Sequence, residues 1–415
     1  MNIDKKTFCV APWFQIRNKN DMSKRVCCAI ETLDKDEDNR NLTPLEYLNS
    51  EHIVNLKKQL IEGKKPDACS TCWQFESNSL LSLRQYLNNH LTAGNFNQKT
   101  WLDAYFKKKK DYKTDMILMA DVSIGNTCNH ACIMCNPRDS SLIYNDWIKR
   151  KDSEFVKEYL KINPNYFKTV KFNGYKNKKY REYIDSVLKN NKKLKLLKIL
   201  GGEPFLDNEL ISTLKNIDKK VKAGLQIHFV TNGSINIIPV LEYIGKFKHI
   251  KISVSIEGVG PVQEYARAGS NWEFVEQNIL KTIEKNICNI SIQHSLQTTT
   301  ILGFESLLKW CKQHSIKINC GIVENPNYLS ISALPTRLKN EIIEKINPYH
   351  SNFSNKVDLE NKTLPYKDLI MLIKDIKYNP TLNKKFFEYI EWYQTNKKIP
   401  KLQTLFPELY EKYKD

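Results

Sequence analysis

The chain has 415 residues, 41% hydrophobic and 27% charged. This is a globular balance that excludes a mostly disordered chain and leaves room for roughly two to three domains with real cores. Lys and Arg exceed Asp and Glu by 64 to 46, a net charge of +18; the excess is spread along the chain, so an anionic partner is expected, with nucleic acid its less favoured form. No run of about 18 apolar residues occurs, so no transmembrane helix or membrane partner is expected. The opening MNIDKKTFCVAPWF lacks the apolar stretch of a secretory signal, and a cytoplasmic location is the expectation.

In chain order, apolar stretches at Cys9–Ile16 and Val26–Ile30 flank the polar NKNDMSK, a hairpin pattern. Leu45–Leu60 has helical amphipathic period and runs on to Gly63, Pro66 and the pair Cys69 and Cys72. A further helix is predicted from Ser77 to about Leu91, and the Lys-rich 97–114 reads as a connector, with Lys107 to Lys110 a solvated helix end or loop. From residue 115 the pattern changes. Strands are predicted at Met116–Ser123, Leu194–Leu200, Leu225–Val230, Ile250–Ile256, Ile290–Gln297 and Ile316–Ile322, with helices at Leu210–Lys219, Ile238–Phe247, Trp272–Lys285 and Phe304–His314. Strands alternating with helices predict an α/β fold built on a parallel sheet or partial barrel, whose chemistry gathers at the C-terminal strand ends. Residues 136–193 leave room for extra helices. Beyond about Glu324 the chain is helical and Lys-rich, without cysteine.

The eleven cysteines carry the chemical signal, because eight of them fall in two groups before residue 136. Grouped cysteines in a reducing compartment point to metal rather than disulfides. The first predicted strand runs into Cys128-Asn-His-Ala-Cys132-Ile-Met-Cys135. Three thiolates at this spacing hold three irons of a [4Fe–4S] cluster and leave the fourth open, whereas zinc more often takes four ligands in paired form. Downstream, GGEP (Gly201, Gly202, Glu203, Pro204) ends the second strand and TNG (Thr231, Asn232, Gly233) the third. The fourth reads ISVSIEG, with Ser253, Ser255 and Glu257 sharing one face, followed by Arg267, whose planar fork suits a carboxylate. On the fifth, Gln297 faces the barrel, and His294 reads as a packed histidine.

Together these stretches resemble the radical SAM superfamily over roughly residues 115–325. The resemblance implies a partial (β/α)6 TIM-like barrel and an enzyme. In that family the open iron of the cluster on Cys128, Cys132 and Cys135 binds the amino and carboxylate groups of S-adenosylmethionine. An external donor such as flavodoxin or ferredoxin supplies the electron that cleaves the cofactor, and the 5′-deoxyadenosyl radical released abstracts a hydrogen from the substrate. The same resemblance places Gly201, Gly202 and Glu203 at the methionyl ammonium, and Ser255 (Ser253 as the second choice) and Arg267 at the cofactor. Asn232 and Gln297 join this set as polar groups at strand ends. Glu257 is open between a ligand contact and a turn cap. Met134 stands where many relatives carry an aromatic residue.

The other group comprises Cys9, Cys27, Cys28, Cys69 and Cys72. Neighbours on a strand point to opposite faces, so one of Cys27 and Cys28 is expected to join Cys9, Cys69 and Cys72 around zinc or a second [4Fe–4S] cluster. C-x2-PW, then CC, then C-x2-C resembles the SPASM/twitch auxiliary-cluster domains, which favours the second cluster, although those domains usually follow the barrel. The expected division is an auxiliary domain at 1–95, the barrel at 115–325 and a helical extension at 326–415. Cys288, Cys311 and Cys320 read as small buried apolar residues. A peptide or an anionic small metabolite is the expected substrate. The alternatives are an RNA-modifying enzyme of the same family and a non-catalytic zinc-binding scaffold.

Overall fold

The computed structural model describes residues 6–30, 36–78, 81–93, 105–106, 111–162, 167, 178–188, 193–324, 326–353, 365–395 and 397–413. Lys107 to Lys110 and most of the predicted connector lie outside them. The six predicted strands are present: β3 (Met119–Ser123), β5 (Leu196–Leu200), β6 (Gln226–Thr231), β7 (His249–Ser255), β9 (Asn289–Leu296) and β10 (Ile318–Ile322). They pair in parallel in the order β3, β5, β6, β7, β9, β10, the open sheet of a partial barrel. One face is apolar: Val122, Ile199, Phe229, Ile252, Val254 and Ile292 are buried. They share a continuous core with Leu210, Leu214, Leu241, Ile244, Val275 and Ile279 of the crossover helices.

The other face is buried yet polar. Asp121, Lys198 and His228 are neighbours across three strands. His228 Nε2 lies 2.8 Å from Ser253 Oγ, Ser253 Oγ lies 3.2 Å from Ser291 Oγ, and Asn319 Nδ2 donates to Ser291 Oγ at 3.2 Å. The linked stretch from His228 to Asn319 avoids much of the penalty of burying polar groups unpaired.

The N-terminal residues extend this sheet. β1 (Gln15–Asn18) pairs in parallel with β3, and β2 (Lys24–Arg25) pairs antiparallel with β1 at the outer edge. The expected hairpin therefore exists but is displaced. Residues 11–14 form a helical turn with Pro12 at its start, where a missing N–H costs nothing. The ladder stops after Arg25, and on the outer side of β2 the Asn39 side chain takes the Lys24 backbone: Lys24 N donates to Asn39 Oδ1 (2.9 Å) and Asn39 Nδ2 donates to Lys24 O (3.0 Å). Cys27 and Cys28 thus sit beyond the strand rather than on it. The predicted helix 45–60 is two helices, Pro44–Leu48 and Glu51–Ile61. Asn49 at the break exchanges two side-chain hydrogen bonds with the Thr114 backbone, at 2.7 and 2.8 Å.

The C-terminal part is helical, as expected, with helices at Thr336–Ile346, Tyr366–Asp375 and Pro380–Gln394 the longest described. No helix among the described residues is long and apolar enough to cross a membrane.

Candidate active site

The loop after β3 carries Cys128, Cys132 and Cys135, and three structures fix it. The first is the end of β5. Gly202 N donates to Gly125 O (2.7 Å) and Glu203 N to Thr127 O (2.8 Å). This close approach explains both glycines. Gly201 adopts φ +135°, and a Cβ on Gly202 would lie 2.5 Å from the Thr127 carbonyl carbon and closer still to its oxygen. The second is a two-residue antiparallel ladder between β4 (Ala131–Cys132) and β8 (Arg267–Ala268), which sets Cys132 directly opposite Arg267. The third is the C-terminal helix Pro380–Gln394. Its Tyr389 hydroxyl donates to Ile133 O (2.6 Å) and its Tyr393 hydroxyl to Ala131 O (2.9 Å).

Around the thiols the polar groups are ordered. His130 N lies 3.4 Å and Asn232 Nδ2 3.8 Å from Cys128 Sγ, and Arg267 Nη1 donates to Cys132 Sγ at 3.5 Å. Burial pushes the Cys128 thiol up to about 12. Cys132 ionises more easily than its neighbour: the Cys135 thiol bonds to it and Arg267 faces it, and together they outweigh burial. Arg267 is itself fixed by Glu257, whose Oε1 accepts from Nη2 at 2.6 Å. Glu257 is fully buried; its Oε2 accepts from Ser295 N at 2.8 Å and stands 3.4 Å from His294 Nδ1. Glu257 is thus neither an exposed ligand contact nor a simple turn cap, but the anchor of the arginine that faces Cys132.

Glu203 is nearly fully buried. Its Oε1 accepts from Thr231 Oγ1 (2.8 Å) and Phe205 N (3.2 Å), and its Oε2 from Asn232 N (2.7 Å). Burial raises its pKa, and these donors offset part of that. Asn232 also donates to Asn129 Oδ1 (2.8 Å), so the TNG turn bridges the carboxylate and the cysteine loop. The two serines separate. Ser253 belongs to the hydrogen-bonded band inside the sheet, whereas Ser255 lies one residue pair nearer the strand ends. Gln297 is fully buried, and neither atom of its carboxamide has a partner among the described residues. Groups of this kind are rare without an occupant to meet them.

The N-terminal cysteines converge on one cavity of about 20 Å³, lined by Cys9, Cys27, Cys69, Cys72 and Arg84 among others. Cys28 does not line it. Burial pushes the Cys9, Cys27, Cys69 and Cys72 thiols up, and the neighbouring cysteines add to this. Arg84 opposes part of the effect at Cys9, Cys69 and Cys72, and is itself paired to Glu76 at 2.6 Å. Three buried thiols and the half-buried Cys69 around one small void are what a metal would convert to thiolates. No three His, Cys, Asp or Glu side chains among the described residues converge tightly enough to grip a single ion as they stand. For zinc these thiols would have to close in on one ion; in a cubane each thiolate would ligate its own iron. Cys311 and Cys320 are buried in the core, and Cys288 is half-buried.

Residues 122–310 match the radical SAM superfamily family model. This stretch, a little under half of the chain, is a radical SAM domain. Among curated proteins, it is 26% identical over 168 residues to a "Probable GTP 3′,8-cyclase" of Methanococcus aeolicus, covering 40% of this chain and 49% of that protein. It is 30% identical over 122 residues to one from Methanococcus maripaludis strain C6, covering 28% and 39%. The chain thus spans half or less of the length of the curated relatives it matches. Among solved structures, this chain aligns with "Native anSMEcpe with bound AdoMet" at 14% identity, covering 60% of this chain and 63% of that one, with a TM-score of 0.40.

The radical SAM domain explains the cysteine loop. The donors fit a [4Fe–4S] cluster and S-adenosylmethionine: three thiols of distinct environment on one pinned loop, a guanidinium beside one of them, and an unpartnered carboxamide at a strand end. His130, Tyr389 and Tyr393 are not singled out by the sequence and carry no local signal there. Glu257 does carry one, its alternation with Ser253 and Ser255, but not the identity of its partner.

Proposed function

We propose that this radical SAM enzyme binds a [4Fe–4S] cluster through Cys128, Cys132 and Cys135 together with S-adenosylmethionine, and uses them to abstract a hydrogen atom from an anionic substrate. The observation that carries the reading is the cysteine loop itself, locked to GGE and TNG on one side and to Arg267 on the other. When bound, the cluster and cofactor supply reductive carbon–sulfur cleavage and a 5′-deoxyadenosyl radical; the organic chemistry is theirs. The chain's part is positioning. Arg267, oriented by Glu257, offers Nε and the remaining guanidinium surface to a carboxylate. Ser255 and Gln297 offer hydrogen bonds near the strand ends. Glu203 supplies a buried carboxylate for an ammonium while it holds the TNG turn. The polar inner face would orient the substrate, and the apolar face and helices exclude water from behind.

An anionic substrate is supported by the net positive charge. Nucleotides, the class named for the curated relatives, and acidic peptides both fall within it. The N-terminal site is a four-thiol metal centre of Cys9, Cys27, Cys69 and Cys72. Its company with a radical SAM domain favours iron–sulfur over zinc, and flavodoxin or ferredoxin is the electron donor of choice.

The test is anaerobic reconstitution followed by metal, sulfide and product analysis. The expected result is methionine and 5′-deoxyadenosine with dithionite, and neither product once Cys128, Cys132 and Cys135 are changed to Ala. A wild-type protein loaded with at least about four irons that forms neither product would defeat the reading. Iron at about eight per chain, falling to about four in the triple variant, would give the N-terminal site a cluster; zinc there would give it a structural ion.

A further inference from the structure

The turn after β1 lies against the end of β3, beside the cysteine loop. Asn20 Oδ1 accepts from Gly125 N at 3.1 Å, and Asn20 Nδ2 donates to Arg138 O at 3.2 Å and to Asp139 Oδ1 at 2.9 Å. This corner gathers four cations. Arg17 and Arg25 are direct partners across the β1–β2 ladder. Lys19 follows Arg17 by two residues, and Arg138 arrives from the loop behind Cys135. All four side chains are half-buried, so they remain within reach of solvent. Lys19 registers the crowding: burial first, then Arg25 and Arg138, with Arg17 adding less, bring its pKa down to about 8 against the opposing pull of Asp21.

The carboxylates nearby are already engaged. Asp121 pairs with Arg17 at 3.3 Å. Asp21 accepts from the hydroxyl and amide of Ser23 at 2.6 and 3.0 Å and lies 3.7 Å from Arg40. Asp139 accepts from Asn136 Nδ2 at 2.6 Å as well as from Asn20, and burial raises its pKa, which weakens it as a counterion. Arg138 Nε is buried with no hydrogen-bond partner among the described residues. Gathering like charges in a half-buried corner opposes folding. A bound anion reverses the sign of that interaction, and guanidinium groups match the oxygens of phosphate and carboxylate alike.

We propose that Lys19 and Arg138, backed by Arg17 and Arg25, form an oxyanion site that takes a phosphate or carboxylate group of the substrate and orients it at the C-terminal end of the sheet. Calling the ligand a substrate rests on the radical SAM reading; anion binding at the corner does not.

The test uses the full-length protein, with inorganic phosphate and succinate as separate probes, each compared with sodium chloride at matched ionic strength. Thermal unfolding and titration calorimetry are the readouts. One oxyanion should stabilise the wild type beyond chloride, phosphate pointing to a phosphorylated substrate and succinate to a carboxylic one. Lys19→Gln and Arg138→Gln should each weaken that binding by roughly tenfold or more. Without the anion both should stay folded, since each relieves repulsion, and either variant alone suffices if the other does not fold. Lys58→Gln with Lys157→Gln removes two exposed charges and should leave the response intact. The proposal fails if neither probe exceeds chloride, or if the Lys19 and Arg138 variants respond as the wild type does. Neither readout needs turnover, so failure here leaves the 5′-deoxyadenosine test standing, and failure there leaves this one.

Discussion

Replacing Gly202 by Ala tests how the cysteine loop is held. The new Cβ would sit 2.5 Å from the Thr127 carbonyl carbon, against a normal carbon–carbon contact of about 3.5–4.0 Å. The two backbones must therefore part by about 1 Å to restore that contact. The hydrogen bonds from Gly202 N and Glu203 N, now 2.7 and 2.8 Å long, would not survive that displacement. Their loss is worth about 0.5–1.5 kcal/mol each, and overpacking adds about 1–3 kcal/mol. The total, about 4 kcal/mol, is less than the stability of most domains, about 5–15 kcal/mol, so the variant should fold with its cysteine loop displaced. Urea unfolding should show a lowered midpoint, and reconstitution should show iron lost from the loop that the Cys128, Cys132 and Cys135 variant also empties. Gly224→Ala is the control: there a Cβ would meet only Lys195 Nζ, at 3.8 Å, and the midpoint should hold. A Gly202→Ala protein with wild-type midpoint and iron content would refute the account of the loop.

Cys27→Ser should empty the N-terminal site while Cys28→Ser leaves it loaded, as read by metal analysis in the background of the triple Cys128, Cys132 and Cys135 variant; equal loss from both would overturn the assignment from the cavity lining. Tyr389→Phe and Tyr393→Phe each remove a hydroxyl from a cysteine-loop carbonyl and should cost about 1 kcal/mol in unfolding free energy. They should also shift the electron paramagnetic resonance signature of the reduced, reconstituted cluster, whereas a purely structural role would leave that signature unchanged. His294 is fully buried, and burial lowers its pKa below the ordinary 6.5 despite Glu257 beside it, with Arg267 acting in the same direction as burial. The unfolded chain therefore takes up this proton first as pH falls, so the stability that the neutral ring provides is complete above about 6.5 and declines below it. Urea midpoints at pH 7.5 and 5.5 should differ less in His294→Asn than in the wild type, and equal differences would sink this point.

The parts of the fold that repeat locally were legible in the sequence. Alternating apolar runs placed six strands within a few residues, and the cysteine spacing with GGE and TNG marked the strand ends that meet at the loop. The parts decided by single long-range side-chain bonds were not. Nothing near residue 49 signals that Asn49 will bond Thr114 and break a helix, nor does anything near residue 39 show that Asn39 will cover the outer side of β2. Tyr389 and Tyr393 reach carbonyls about 260 residues earlier in the chain, beyond any local period. Glu257 was visible as an inward-facing acid, but its partner follows only from the β4–β8 ladder that brings Arg267 to Cys132. Cys27 could be separated from Cys28 only by the cavity, because neither lies on the strand whose alternation was to divide them.

The placement of β1 beside β3 also changes what truncation would do. An unpaired strand edge is a template for intermolecular pairing, and natural sheets blunt their edges with short or charged strands. Here the outermost strand is β2, two residues long, both basic, with Asn39 occupying part of its open side. Removing the first hundred residues to isolate the sheet would delete this cover and bare the full length of β3. A trimmed protein of that kind should self-associate, so the cysteine-rich N-terminus is also the sheet's guard against aggregation.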